Sequence, residues 1–139
     1  MKPAPRFIVF AHNATYDKLH QVATLGLTAA AMGKDVMVVL LFWTIKKLAE
    51  GQLDVLDFPL EYQDQAPNVA RLLKERRVPS ISEMFEEARK VGKFRLIACS
   101  AGLEYMGVDP EKVEKNVDEV MGLPAILSLT SGAETTLFI

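Results

Sequence analysis

The residues of this sequence that offer chemistry are few, and most lie where an apolar run gives way to polar side chains. Cys99 follows the run Phe94–Ala98 and precedes Ser100-Ala101-Gly102-Leu103, which reads as a turn into a short helix. A thiol at such a turn faces free backbone N–H groups and the positive end of a helix dipole. Both favour the thiolate, which is the nucleophilic form. A cysteine is also a small hydrophobe that packs well when buried, and position alone leaves that reading open. His12 and Asn13 end the first apolar run, and Trp43 and Thr44 end the second. His12 can orient a ligand, act as a base, or bond to backbone. Trp43 can wall a pocket or pack in a core or subunit contact. Cys99 is therefore the candidate catalytic residue. His12, Asn13, Trp43, Ser100, Ala101 and Gly102 are the candidate pocket lining. Glu104, about a turn past Cys99, and His20 read as solvated helix residues.

What is missing narrows the chemistry. With a single cysteine, an internal disulfide is impossible and a cysteine-based metal site lacks partners, so no metal is expected. No G-x-G-x-x-G follows the first run, and there is no G-x-x-x-x-G-K-[ST], H-E-x-x-H, C-x-x-C or G-x-S-x-G. An enzyme working on a nucleotide or flavin would lack its phosphate cradle, and no cofactor is expected. The formal charge of −2 argues against nucleic acid as a partner. Arg71, Lys74, Arg76 and Arg77 form a local basic cluster suited to a wet surface or an acidic partner. No apolar run approaches the ~18 residues of a membrane span. Met1 to Arg6 does not read as a secretory signal, so a reducing cytoplasm is the expected compartment.

The elements that must position these residues follow from period and punctuation. The 139 residues, 50% of them hydrophobic, suit one domain. Phe7–Ala11 is a short apolar strand. Asn13 or Thr15 can cap a helix in which Leu19, Val22, Ala23, Gly26, Leu27 and Ala30 recur at helical spacing and Gly33 ends the run. Val36–Phe42 is apolar on successive residues, the mark of a strand covered on both faces. Ile45–Glu50 is a short helix ended by Gly51. Residues 52–79 are irregular, with Pro59, Pro67 and Pro79, and read as a lid, a subunit contact or a disordered insert around a helix at Asn68–Arg77. Ser80-Ile81-Ser82-Glu83 fits a capping box at the head of an amphipathic helix closed by Gly92. Phe94–Ala98 is the third strand, followed by a helix over Ser100–Met106. Asp109-Pro110 starts another helix. Val117–Met121 is a fourth strand, Gly122-Leu123-Pro124 opens a helix to about Ser131, and Thr135–Ile139 is a fifth strand. This alternation predicts an α/β/α three-layer sandwich with a mainly parallel five-stranded sheet.

Several of these segments resemble one family. Ile97-Ala98-Cys99-Ser100-Ala101-Gly102-Leu103-Glu104-Tyr105-Met106-Gly107-Val108 is similar to the cysteine segment of the DsrE/DsrF-like proteins, where an A-C run after the third strand leads to G-[IV]. Val78-Pro79-Ser80-Ile81-Ser82-Glu83-Met84 resembles the P-S-x-x-E-M helix start of one branch, and Gly132–Ile139 resembles the family's last strand. The resemblance covers nearly the whole chain outside its irregular middle. It implies a five-stranded sandwich assembled into trimers or hexamers. It also implies a sulfur carrier, sulfurtransferase-like, in which the cysteine matched by Cys99 holds sulfane sulfur and passes it to a partner thiol. Rhodanese-like or TusA-like proteins are then the expected donors and acceptors. The chain departs from the branch's C-Q-M-S-M run, having Ser100-Ala101-Gly102-Leu103 after the cysteine, and it carries no second cysteine. A resolving thiol would have to come from another protein. The other reading is a non-catalytic protein that binds a small ligand or builds an oligomer.

Overall fold

The computed structural model describes residues 2–139. Five strands alternate with helices: β1 (Arg6–Ala11), α1 (Tyr16–Ala31), β2 (Asp35–Leu40), α2 (Trp43–Ala49), α3 (Ala66–Glu75), α4 (Ile81–Val91), β3 (Lys93–Cys99), α5 (Ser100–Tyr105), α6 (Pro110–Glu114), β4 (Glu119–Met121), α7 (Leu123–Thr130) and β5 (Thr135–Phe138). All neighbouring strands are parallel, in the order β4-β3-β2-β1-β5. The apolar centre of β2 is buried along its length, as its unbroken hydrophobic run requires.

Side chains alternate between the two faces of the sheet. Phe94 on β3 and Val36 on β2 meet Gly26 of α1, so this face carries α1 and α4, which pack side by side. The other face presents Arg6, Ile8 and Phe10 of β1. The Arg6 guanidinium donates to the carbonyls of Leu129 (3.2 Å) and Ser131 (3.1 Å), which places α7 there. The chain steps from β1 to β4 in one direction and returns through α7 to the far edge, so a right-handed return crosses the opposite face. Ile126 of α7 is buried against the sheet, while Leu123 and Leu127 face outward.

Local chemistry accounts for the boundaries. Ser80 and Glu83 form the expected capping box: the Glu83 amide donates to Ser80 Oγ (3.1 Å) and the Ser80 amide to Glu83 Oε2 (2.9 Å). Gly33 ends α1 at φ +81°, the left-handed turn expected of it. Gly92 ends α4 for a different reason. Its backbone is extended, and a Cβ there would lie 2.4 Å from the carbonyl oxygen of Ala30, so close helix packing demands glycine. The second strand stops at Leu40 rather than Phe42, because Leu41 and Phe42 form the turn into α2. The fourth starts at Glu119 rather than Val117, whose amide bonds back to the Val113 carbonyl. Residues 52–79 hold a 3-10 turn at Leu60–Gln65 and α3, which has no fully buried residue. No helix among the described residues is long and apolar enough to cross a membrane.

Candidate functional site

Three of the predicted site segments do meet at the carboxyl edge of the sheet. β1, β2 and β3 are adjacent and in register, so Ala11, Leu40 and Ala98 end side by side. His12, Asn13, Trp43 and Ser100 are all exposed there. The crevice expected where an open sheet reverses its winding would lie between β1 and β5. It is filled by the chain itself: the amides of His12 (2.8 Å) and Asn13 (3.3 Å) both donate to the Ile139 carbonyl.

What gathers at this edge is a set of rings. Phe42 sits among His12, Trp43 and Tyr105, with ring centroids 6.1, 6.0 and 6.5 Å away. Trp43 is 52% exposed and Tyr105 72%, unusual for large aromatics with no partner. Phe42 adopts φ +56° and ψ −110°, a conformation that bulky L-residues avoid at a cost of about 1–3 kcal/mol. Neither Phe42 nor Tyr105 stands out in the sequence. The only hint is that both flank elements whose ends were already marked, by Trp43 and Cys99.

The thiol is buried at the carboxyl end of β3. Cys99 caps α5 with extended backbone, makes no side-chain capping bond, and is 3% exposed within the apolar core. It shares a sheet face with Ile97 and lies in register with Met121 of β4. Ser100, the next residue, is exposed, and its Oγ lies 3.8 Å from where a Cβ on Gly122 would sit. Ala101 is half-buried. Gly102 is buried and serves packing: a Cβ on it would come within 2.5 Å of Ile45 Cδ1, so the glycine lets α5 touch α2. A cavity of about 150 Å³ near the edge is lined by Lys46, Ala49, Glu50, Met106 to Asp109, and Lys112, and does not reach Cys99.

Two buried polar residues hold the edge in shape, and sequence reasoning missed the role of both. The Thr44 hydroxyl donates to the Ala11 carbonyl (2.8 Å) and accepts from the Leu41 amide (2.9 Å), tying the end of β1 to the start of α2. Lys47 is 6% exposed, and its ammonium donates to the Ala14 carbonyl (2.7 Å), Asp57 Oδ1 (2.6 Å) and the Val55 carbonyl (3.5 Å). Asp57 Oδ1 also accepts from the Tyr16 amide (2.9 Å). A lysine in an amphipathic helix ordinarily reads as solvated, and nothing in the sequence pairs it with Asp57. Behind this cluster, burial lowers the His20 pKa from its usual value, and its Nε2 has no hydrogen-bond partner. Burial, and then the charge of Asp54, raise that of Tyr16.

No family model matches the chain, and no curated protein matches it in sequence. Solved structures do match in shape. The ychN protein from E. coli superposes with a TM-score of 0.59 at 15% identity, covering 97% of this chain and 99% of that one. Protein MTH1491 from Methanobacterium thermoautotrophicum, of unknown function, gives 0.53 at 14% identity over 96% and 98%. The conserved protein BT1422 from Bacteroides thetaiotaomicron, also of unknown function, gives 0.53 at 17% over 95% and 94%. These likenesses span whole chains and establish a shared fold.

Proposed function

We propose that this chain is a sulfur carrier of the DsrE/DsrF-like kind, with Cys99 holding sulfane sulfur for a partner protein that docks on the aromatic edge. The observation that carries the reading is the position of Cys99. It ends β3 at the head of α5, on the carboxyl edge of the sheet where His12, Phe42 and Trp43 are also exposed, and the next residue, Ser100, is itself exposed. The fold shared with ychN and the resemblance of the cysteine segment support it. In the loading step, the Cys99 thiolate attacks the sulfane sulfur of a donor persulfide. A Cys99 S–S bond forms, the donor S–S bond breaks, and the donor leaves as a thiolate. In the delivery step, the partner's thiolate takes the outer sulfur and Cys99 is released as thiolate, with no net oxidation.

At 3% exposure the resting thiol is closed, so the reading includes an opening. The cheapest element to move is β4, a three-residue edge strand paired only to β3, which carries Met121 beside Cys99. Closure suits a carrier, because a persulfide open to solvent loses its sulfur to any small thiol. The test is intact mass after incubation with thiosulfate or glutathione persulfide. A reducible gain of one sulfur, roughly 32 Da, that disappears in Cys99→Ser is expected; an unmodified thiol with every donor overturns the reading.

A second reading is a non-catalytic protein that builds a homo-oligomer, a trimer or hexamer, or binds a small ligand at the edge. The burial of Cys99 in the core favours it, as do the outward apolar residues Leu123, Leu127 and Phe138 on the α7 side. Alkylation of Cys99 no faster than global unfolding allows, together with a defined oligomer, would select it.

A further inference from the structure

The two edges of the sheet are treated differently. β4 is short, its Glu119 is ion-paired to Arg95 (3.1 Å), and Pro124 soon follows it. These are the usual protections of an edge strand. β5 is also short, at four residues, but carries neither a charge nor a following proline. Thr135-Thr136-Leu137-Phe138 is uncharged, rich in β-formers, free of proline, and in unbroken register with β1. The charge just before it, on Glu134, is already engaged by Lys34.

The register says which backbone groups are left over. Ile139 donates to the Phe10 carbonyl (2.9 Å) and accepts from the His12 amide (2.8 Å). In a parallel pair alternate residues bond to the neighbour, so Thr135, Leu137 and Ile139 face β1. Thr136 and Phe138 turn their N–H and C=O groups outward, and both residues are exposed, Phe138 at 76%.

We infer that β5 is the seam of a two-fold dimer, pairing antiparallel with β5 of a second copy. Centred on Leu137, the pairing sets Thr136 of each copy opposite Phe138 of the other and forms about four main-chain hydrogen bonds. It also makes two aromatic-to-β-branched cross-strand pairs, a favourable combination. The sheet then runs on through ten strands, with the axis perpendicular to it. Both α7 helices come to the same side, with Leu123 and Leu127 facing outward. A four-residue seam alone falls short of the roughly 1,200–2,000 Å² of a stable interface, and Phe138, 76% exposed beside the axis, adds apolar area to it. The inference rests on the self-association reading and is independent of the thiol chemistry.

The test is the solution mass of the full chain and two variants. Thr136→Pro removes an outward donor only, so β1 pairing and the fold persist while the seam loses bonds. The expected result is an even-numbered assembly whose mass halves in Thr136→Pro with unchanged circular dichroism. Leu137→Cys in a Cys99→Ser background places two thiols across the axis at a Cα separation of about 4.5 Å, inside the disulfide range, and should oxidise to a covalent dimer. If the proline variant fails to fold, this cross-link decides. A monomeric wild type overturns both this inference and the self-association reading. A trimer, or an oligomer untouched by Thr136→Pro that forms no cross-link, overturns this seam alone.

Discussion

Removing Asp57 should cost more than removing Lys47, although the two form one ion pair. In Asp57→Ala the Lys47 ammonium, 6% exposed, keeps only the neutral carbonyls of Ala14 and Val55. An ammonium stranded in a core costs about 3–5 kcal/mol, and the two remaining carbonyls put this case near 3. The Tyr16 amide is not stranded, because it also donates to the Asp57 main-chain carbonyl at 2.8 Å. In Lys47→Met the charge left behind belongs to Asp57, whose side chain is half exposed and rehydrates. What is lost is mainly the bond to the Ala14 carbonyl, about 1–2 kcal/mol. The double variant Lys47→Met/Asp57→Ala leaves no charge behind, so it should be more stable than Asp57→Ala alone. In a domain of this size 3 kcal/mol is roughly 10–15 °C in melting temperature. Urea unfolding followed by circular dichroism measures all three. A Lys47→Met variant weaker than Asp57→Ala, or a double variant weaker than either, would refute the charge argument.

Gly92→Ala should lose at least about 3 kcal/mol or fail to fold, because its methyl would press on the Ala30 backbone, which has no rotamer to yield; thermal melts decide it. Phe42→Gly should destabilise by under about 1 kcal/mol, far less than deleting a partly buried ring ordinarily costs, because the relieved strain offsets most of the lost packing, while weakening any partner docked on the edge; thermal melts measure it. Stability should also depend on pH at both ends. His20 has a lowered folded-state pKa, so its contribution is complete above 6.5 and is lost as pH falls from there, and His20→Phe should flatten that limb. Tyr16, raised in the fold, should cost stability as pH climbs above 10; equilibrium unfolding across the range tests both limbs.

The fold was legible wherever local chemistry and burial agreed. The Ser80–Glu83 box, the unbroken apolar run of β2 and the left-handed Gly33 each state their structure in a few residues. The strand order was not, because it depends on which way each crossover turns, and α7 reverses direction with no local sign of doing so. At the site, the strand ends announce that His12, Asn13, Trp43 and Ser100 are exposed at the carboxyl edge of the sheet. The depth of Cys99 was hidden, since Met121, its neighbour in register, lies 22 residues away along the chain. Lys47 was hidden for the same reason: its burial is set by Asp57 and the Ala14 carbonyl, brought together only in three dimensions.

The strand order has a consequence for how the molecule is made. β1 leaves the ribosome before either of its neighbours, and one of them is β5, nearly 130 residues later, with Phe7 waiting for Thr135. Until that partner emerges, one side of Phe7-Ile8-Val9-Phe10-Ala11 is bare backbone on a greasy ribbon. Closing so long a loop is slow relative to local helix formation. The nascent chain is therefore most vulnerable to sticking just before synthesis reaches β5. A ribosome-stalled chain ending short of Thr135 should bind a holdase chaperone, and one extended past Ile139 should let it go.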